Sequence, residues 1–214
     1  DGAYDQHSYY AYDEDGLLVS ITVEVNEAYL PTQSYLTEYD ADGNIIFEHS
    51  SNEWNSWSRS YEYDADGNIT SEEHASDWDK DGVVDSIRSS LYEYDEDGNL
   101  TVETYTYSED WNGEGIETRS TGTTTYEYDD DGNLISEERA MEYFDFTVLD
   151  DSQTSELTSS SYEYDEDGFL ISTNSTTTLD HNGDGVIDEI HTWSESKIYD
   201  DAGQLIESSW SASY

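Results

Sequence analysis

Aromatic and polar residues alternate in short runs along the whole chain, and each run leads into an acidic turn. Residues 61–70 show the unit: the run Tyr-Glu-Tyr, the turn Asp-Ala-Asp-Gly, an asparagine and an aliphatic residue. Alternation with a period of two is typical of a β-strand that buries one face. The 3,4 spacing of apolar residues that predicts a helix does not occur. The pattern therefore predicts strands that are joined by turns.

The turn motif Tyr-Asp-x-x-Gly occurs seven times, and its glycines are 24 to 36 residues apart. Aspartate at the first turn position can accept a hydrogen bond from the backbone two residues further on, and glycine at the fourth position tolerates a positive φ. Each motif therefore predicts a tight hairpin loop, a type I turn closed by a glycine bulge. We call these loops YD turns, and they lie at 12–16, 39–43, 63–67, 94–98, 128–132, 164–168 and 199–203.

The hairpin loop fixes which residues of the two strands are paired. The tyrosine before each YD turn should face the aliphatic residue after it, and such a pair contributes about 0.2–1 kcal/mol relative to Ala–Ala. The predicted pairs are Tyr12–Leu18, Tyr39–Ile45, Tyr63–Ile69, Tyr94–Leu100, Tyr128–Leu134, Tyr164–Leu170 and Tyr199–Leu205. We expect a buried tyrosine face that continues through Tyr35, Phe47, Tyr61, Tyr92, Val102, Tyr126 and Tyr162. The opposite, acidic face carries Glu62, Thr70, Glu93, Glu127 and Glu163.

The segments between the YD turns are rich in Thr, Ser, Tyr and Val, and the one proline of the chain is Pro31. Each repeat then reads as a strand, a YD turn, a second strand and a second turn. The sequence predicts an all-β fold, an antiparallel meander of about 14 strands built from YD hairpins. A sheet of that size is expected to be curled or two-layered. We expect a single β-repeat domain over residues 1–214.

Composition adds one constraint, because the chain is extremely acidic. It has 53 Asp and Glu, 6 Lys and Arg, and a formal net charge of -47, which alone would indicate disorder. Its 20 tyrosines, 6 tryptophans and internal repeat indicate a folded chain instead. Such a charge excludes nucleic acid and anionic membrane surfaces as partners. No apolar run reaches membrane-spanning length, and no cysteine is present to form a disulfide.

Two of the second turns carry oxygen-bearing side chains at regular spacing. Asp or Asn at positions 1, 3, 5 and 9, with glycine at position 6, matches the first three quarters of a calcium loop, in which the backbone carbonyl of position 7 is a further ligand. The glutamate of position 12 is replaced by Arg88 in one loop and by His191 in the other. The predicted calcium ligands are Asp77, Asp79, Asp81, Val83 and Asp85 in the first loop, and Asp180, Asn182, Asp184, Val186 and Asp188 in the second.

A further second turn, with Asp110, Asn112, Glu114 and Glu117, is a degenerate copy that is one residue short. The YD turns need no metal, because aspartate as a turn former explains them. Free calcium at about ten to a hundred times Kd would add about 1.4–2.7 kcal/mol of stability per site. A weak site with a Kd of about 0.1–1 mM fills outside the cell and stays empty in the cytosol. Calcium therefore favours an extracellular location, secreted or at the cell surface.

The core Tyr-Asp-x-x-Gly-x-Leu resembles the YD repeats of bacterial secreted RHS-type proteins. It is more similar still to YD-repeat lipoproteins and surface proteins in which Asp-x-Asp-x-Asp-Gly loops are interleaved. The resemblance extends from Tyr12 to Leu205. It implies a spiral of β-hairpins, which in RHS-type toxins forms a closed shell.

Residues 17–25, Leu-Leu-Val-Ser-Ile-Thr-Val-Glu-Val, depart from the alternation. The two-residue alternation that starts from the pair Tyr12–Leu18 places these apolar side chains on the acidic face: Leu17, Val19, Ile21, Val23 and Val25. A strand buried on that face needs a cover, either a local second layer from residues 141–149 or another subunit. The segment 1–30 is therefore a candidate assembly contact.

The sequence indicates no catalytic site. It has no nucleophile elbow, phosphate-binding loop or His-Glu-x-x-His motif, and its five histidines are scattered. We expect a non-catalytic extracellular structural protein, stabilised by Ca2+, that self-assembles as a homo-oligomer into a fibre or surface layer. Two alternatives stay open: a monomeric cell-surface module for carbohydrate or adhesion, with tryptophans as a stacking platform, or a fragment of an RHS-like secreted shell.

Overall fold

The computed structural model describes residues 4–27, 30–110, 116–146, 152–200 and 202–213. These residues contain fourteen β-strands and no helix, so none of their segments is a helix that could cross a membrane. The strands are β1 (Tyr4–Tyr12), β2 (Leu18–Glu27), β3 (Leu30–Tyr39), β4 (Ile45–Ser51), β5 (Ser56–Tyr63), β6 (Ile69–Asp77), β7 (Ser86–Tyr94), β8 (Leu100–Glu109), β9 (Thr118–Tyr128), β10 (Leu134–Asp145), β11 (Ser152–Tyr164), β12 (Leu170–Asp180), β13 (Glu189–Tyr199) and β14 (Leu205–Ser213).

The strands form one 14-stranded sheet, and their order in the sheet follows the chain from β1 to β14. The predicted all-β antiparallel meander is confirmed. The chain falls into two compact units, Asp1–Leu91 with Thr106–Glu117, and Tyr92–Tyr105 with Thr118–Tyr214. β1 lies at one end of the strand order and β14 at the other.

All seven YD turns have the same backbone hydrogen bonds. In the turn after Tyr63, the N–H of Gly67 donates to the Asp64 carbonyl (3.3 Å), and the N–H of Asp64 donates to the Asn68 carbonyl (3.0 Å). Asp64 Oδ1 also accepts the N–H groups of Asp66 (2.9 Å) and Asn68 (2.8 Å). Gly67 has φ +88°, in the left-handed region that favours glycine. The predicted turn, with aspartate as acceptor and glycine at the positive φ, is confirmed.

The tyrosine–aliphatic pairs are confirmed in six hairpins. The observed pairs are Tyr12–Leu18, Tyr39–Ile45, Tyr63–Ile69, Tyr128–Leu134, Tyr164–Leu170 and Tyr199–Leu205. The pair Tyr94–Leu100 stays a prediction. The tyrosine face is half-buried at Tyr61, Tyr92, Tyr126 and Tyr162, and the acidic face is exposed at Glu62, Glu93, Glu127 and Glu163.

A β-bulge follows the aliphatic residue in each of these six hairpins. In the hairpin of β5 and β6, Tyr63 faces Ile69, but Glu62 faces Ser71, so Thr70 is the extra residue. One extra residue reverses the inward and outward alternation of the strand beyond it. Simple pairing therefore assigns the wrong face to residues that follow the bulge.

The bulge corrects two predicted faces. Phe47 faces Glu38 on β3, so it lies on the acidic face, and its predicted place on the tyrosine face is wrong. In β2, Ile21 faces Tyr10 on one side and Thr37 on the other, so it lies on the tyrosine face and is half-buried there. The predicted place of Ile21, Val23 and Val25 on the acidic face is therefore wrong, whereas the assembly contact over residues 1–30 stays a prediction.

Side chains pack against neighbours on adjacent strands rather than into a central core. Among the described residues, Met141 is the one buried hydrophobic side chain, with 6% of its surface exposed. Met141 faces Gly122, where an added Cβ would lie 2.0 Å from the methionine Sδ. Gly122 therefore leaves the space that Met141 fills.

Glutamates beyond the bulge accept hydrogen bonds from tyrosines of the next hairpin. Tyr61 Oη donates to Glu48 Oε2 (3.1 Å), and Tyr162 Oη donates to Glu137 Oε2 (3.1 Å). Burial is the largest cause that raises the pKa of both tyrosines, and the neighbouring glutamates raise it further. Within each unit, such a bond ties one hairpin to the next.

Replacing a turn aspartate should destabilise the protein. In Asp64→Ala, two backbone N–H groups and the Asn68 side-chain amide, which donates to Asp64 Oδ2 (3.0 Å), lose their acceptor. We expect the free energy of unfolding in urea to fall, because donors that lose their acceptor are left unsatisfied. The matched control is Asp66→Ala, which removes an exposed carboxylate from the same turn and should change stability by less than about 0.5 kcal/mol. Equal losses in the two variants would contradict this role.

The loss of stability in Asp64→Ala should depend on pH. The Asn68 side chain is the first cause that lowers the pKa of Asp64 below its ordinary value of 3.8, and the N–H of Asn68 adds to it. A lowered folded pKa gives stability that is complete above about pH 4 and is lost as pH falls through the folded pKa. The stability difference between the native chain and Asp64→Ala should therefore narrow below about pH 4. A difference that stays constant on acidification would argue against the carboxylate.

Candidate metal centre

Residues 77–85 form the loop that joins β6 to β7. The N–H of Asp85 donates to the Ser76 carbonyl (2.8 Å), which closes the base of the loop. Lys80 (φ +60°) and Gly82 (φ +90°) are both left-handed, so the chain turns sharply twice. In the part of the chain that the structure describes, Lys80 is the one non-glycine residue with a positive φ. The loop thus imposes a conformation that its lysine does not favour.

Three aspartates of this loop converge. One carboxylate oxygen from each of Asp77, Asp79 and Asp85 lies within 4.8 Å of the others. Oxygens that share a calcium ion at about 2.3–2.6 Å lie at most about 5 Å apart, so the three fit around one cation. Asp77 Oδ1 is buried and has no hydrogen-bond partner in the described part of the chain. A buried, unpartnered carboxylate oxygen beside two other carboxylates is costly unless a cation balances it.

Each carboxylate of the cluster also accepts one backbone N–H of the loop. The donors are Gly82 to Asp77 Oδ2 (3.1 Å), Asp81 to Asp79 Oδ1 (3.1 Å) and Trp78 to Asp85 Oδ2. Asp81, the other predicted carboxylate ligand, is not part of the cluster, and its Oδ1 accepts the N–H of Val83 (2.8 Å). The Val83 carbonyl as a ligand stays a prediction.

The second predicted loop, at 180–188, repeats the hydrogen bonds of the first at equivalent positions. The N–H donors and their acceptors are Gly185 to Asp180 Oδ2 (2.8 Å), Asp184 to Asn182 Oδ1 (3.0 Å), Val186 to Asp184 Oδ1 (2.8 Å), His181 to Asp188 Oδ2 (2.8 Å) and Asp188 to the Leu179 carbonyl (2.8 Å). Left-handed glycines, Gly183 and Gly185, occupy positions 4 and 6. The shared spacing therefore produces the same local fold twice.

The two loops differ at their first aspartate. Asp180 is 4% exposed, and its Oδ1 accepts the N–H groups of Asn182 (3.2 Å) and Gly183 (2.8 Å). Burial acts to raise the pKa of Asp180, but the N–H donors, led by Gly185, outweigh it and the pKa is lowered. The positions equivalent to Asp77, Asp79 and Asp85 are Asp180, Asn182 and Asp188, so an amide stands in the second loop where the first has its second carboxylate. Calcium at this loop stays a prediction.

Asp110 lies beside the first loop, although the sequence places it in a separate, degenerate turn. Its N–H donates to the Asp85 carbonyl (2.7 Å). Asp110 Oδ1 is buried and, within the described residues, lacks a hydrogen-bond partner. Spacing could not reveal this adjacency, because strands β7 and β8 separate the two residues along the chain. Asn112 and Glu114 of the degenerate turn lie outside the described residues.

His181 and His191 both contact the side chain of Glu189. Nε2 of His191 lies 2.9 Å from Glu189 Oε2, and Nε2 of His181 lies 3.3 Å from Glu189 Oε1. His191 first and His181 second lower the pKa of Glu189. His191, at position 12 of the second loop, thus contacts a neighbouring carboxylate.

Neither the protein-family models nor the curated proteins compared with this chain give a match. The resemblance to YD-repeat proteins therefore rests on the motifs and stays a hypothesis.

Without a divalent cation, loss of Asp180 should destabilise the protein more than loss of Asp77, which is the first aspartate of the other loop. In EDTA, Asp180→Ala should lower the free energy of unfolding more than Asp77→Ala does, because three N–H groups lose their acceptor. Asp77→Ala should cost less than about 1 kcal/mol, because it removes one accepted N–H and relieves repulsion within the cluster. Urea unfolding measures both. A larger loss in Asp77→Ala would show that the first loop does not have this unbalanced charge.

Proposed function

We propose that this protein is a non-catalytic, calcium-stabilised structural protein that works outside the cell and assembles with copies of itself. The observation that carries the proposal is the first acidic loop, where Asp77, Asp79 and Asp85 converge around a buried, unpartnered oxygen. The sequence supplies no motif for catalysis, and the regular hairpins favour a structural role.

Calcium suits this loop better than other common cations. All candidate side chains offer oxygen, which hard cations prefer, and the flexible loop spacing of 1, 3, 5 and 9 is that of calcium loops. Magnesium is smaller and demands near-ideal octahedral geometry, which dedicated protein loops rarely supply. Each bound Ca2+ would offset two charges of a chain whose formal net charge is -47. Weak sites of this kind fill at extracellular calcium levels, which supports the proposed location.

The two edge strands support assembly. β1 and β14 are both 9 residues long, and each contains a single carboxylate, Asp5 in β1 and Glu207 in β14. Soluble proteins usually protect edge strands with charge, proline or a cover, because unpaired N–H and C=O groups recruit other strands. Large side chains are exposed on both edge strands: Tyr9, Tyr10 and Tyr12 on β1, and Leu205, Ile206 and Trp210 on β14.

The occupant that fits these edges is a second copy of the chain. Neighbouring strands alternate in direction and their number is even, so β1 of one copy placed beside β14 of another continues the alternation. Both edges carry little charge, so their approach adds little repulsion to a strongly acidic chain. A contact between two different edges is heterologous, and a heterologous contact that does not close produces an open filament.

Calcium binding is tested by titration calorimetry on the native chain and two variants. The native chain should bind Ca2+ and melt at a higher temperature with it. Asp77→Asn should weaken binding about tenfold or more, because it removes one charge from the cluster of three. Asp66→Asn removes the same charge from a YD turn and is the matched control, with unchanged affinity expected. Identical affinities in all three proteins would refute the site.

Assembly is tested by sedimentation velocity and electron microscopy in calcium and in EDTA. The native chain should form filaments that loosen in EDTA. Trp210→Lys places a charge on the β14 edge, at a side chain that is 75% exposed, and should leave monomers. Trp54→Lys is the control, because Trp54 is 60% exposed but lies in the turn between β4 and β5. Monodisperse native chain in calcium, or equal assembly of the two variants, would rule out the edge contact.

A further inference from the structure

The tyrosine face of the first unit contains a pocket that neither the acidic loops nor the edge strands explain. Its volume is about 320 Å3, at the small end of ligand pockets, and it opens to solvent. The pocket is lined by Asn55, Ser56, Trp57, Arg59, His74, Ser76 and Trp78. Two indole rings with amide, hydroxyl, imidazole and guanidinium groups between them make a mixed apolar and polar lining.

The β-sheet places these groups together. Trp57 faces Ser76 and Arg59 faces His74 across β5 and β6, so all four side chains lie on one face. Trp78 follows β6 and lies at the border of the pocket with 43% of its surface exposed. The Trp57 and His74 rings make an edge contact, with centroids 5.9 Å apart and planes at 66°. Half-buried Trp57 is therefore held in place, and Trp78 presents an accessible indole.

The charged groups in and around the pocket disfavour both cationic and anionic ligands. Arg59 has an ion-pair partner, because its Nε lies 3.3 Å from Glu72 Oε1, although this contact lacks hydrogen-bond geometry. Its Nη1 donates to Tyr61 Oη (3.4 Å). Burial first, and then Arg59, lower the pKa of His74, so the imidazole is neutral near pH 7 and offers one donor and one acceptor. A cation in the pocket would meet the Arg59 guanidinium. An anion would be repelled by a chain with a formal net charge of -47.

We propose that this pocket binds one ring of a neutral saccharide, with Trp57 and Trp78 as the stacking surfaces. The C–H face of a pyranose ring is apolar and packs on aromatic rings, while its hydroxyls both donate and accept hydrogen bonds. Asn55, Ser76 and the neutral His74 line the pocket and supply matching donors and acceptors.

Calcium at the first loop strengthens saccharide binding, and this part rests on the proposed function. Trp78 lies between the cluster members Asp77 and Asp79, and its N–H donates to Asp85. Lys80 Nζ donates to the carbonyl of Asn52, the first residue of the turn that ends at Asn55. A cation that holds the loop in one conformation therefore also holds Trp78 in place. It likewise holds the Lys80 hydrogen bond, which connects the loop to the turn at the opposite side of the pocket.

Binding is tested with an immobilised panel of neutral oligosaccharides (glucans, galactans, mannans, xylans and chitin oligomers) and by tryptophan fluorescence with any member that binds. Trp78→Ala should weaken binding about tenfold or more, as loss of a stacking surface predicts. Trp57→Phe, which keeps an aromatic ring, should weaken it less than Trp57→Ala. Trp54→Ala is the control, because Trp54 is 60% exposed and does not line the pocket. Circular dichroism confirms that each variant is folded.

The outcomes separate the pocket from the metal. No binding to any neutral member, stronger binding of acidic glycans, or equal weakening by Trp54→Ala and Trp78→Ala would overturn the saccharide pocket. If Ca2+ binds in calorimetry but leaves saccharide affinity unchanged, the coupling fails and the pocket stands. If Ca2+ does not bind and a saccharide binds in EDTA, the proposed calcium role fails and the pocket stands.

Discussion

Backbone N–H groups that donate to aspartate carboxylates hold the turns of this protein. Asp64 accepts such bonds in a YD turn and Asp180 in an acidic loop. The Asn68 side chain first, and backbone N–H groups after it, lower the pKa of Asp64; at Asp180 burial acts to raise the pKa, and the N–H donors outweigh it. An ionised aspartate thus becomes the preferred acceptor at each chain reversal, because the N–H dipoles stabilise its charge. Part of the large negative charge of the chain therefore contributes to folding. In the first acidic loop, where each clustered carboxylate accepts one N–H and Asp77 Oδ1 has no partner among the described residues, the remaining charge calls for a cation.

Met141 is the one buried hydrophobic side chain in the described part of the sheet, so stability depends on contacts between neighbouring strands. The bulges matter for this reason. By reversing the alternation, they place Glu48 and Glu137 under the hydroxyls of Tyr61 and Tyr162, which links one hairpin to the next. The same reversal moves the apolar residues of β2 to the tyrosine face. A regular two-residue alternation without bulges would leave both sets of side chains without these partners.

Local features could be predicted from the sequence, and features that depend on distant strands could not. The YD turns and their tyrosine–aliphatic pairs follow from Asp and Gly at fixed positions, and Asp77, Asp79 and Asp85 follow from loop spacing. The bulges escaped prediction, although a signal exists: the extra residue is β-branched and directly follows an aliphatic residue. These extra residues are Val19, Ile46, Thr70, Ile135, Ile171 and Ile206. The position of Asp110 beside Asp85 could not be inferred, because it requires the register of two intervening strands.

The strand order has a consequence for how such a chain can change in length. Among the described residues, each strand contacts those that are adjacent to it in sequence. Stability is then close to a sum of nearest-neighbour terms, as in linear repeat proteins. Duplication or deletion of one whole hairpin would therefore leave the interfaces between the other strands intact.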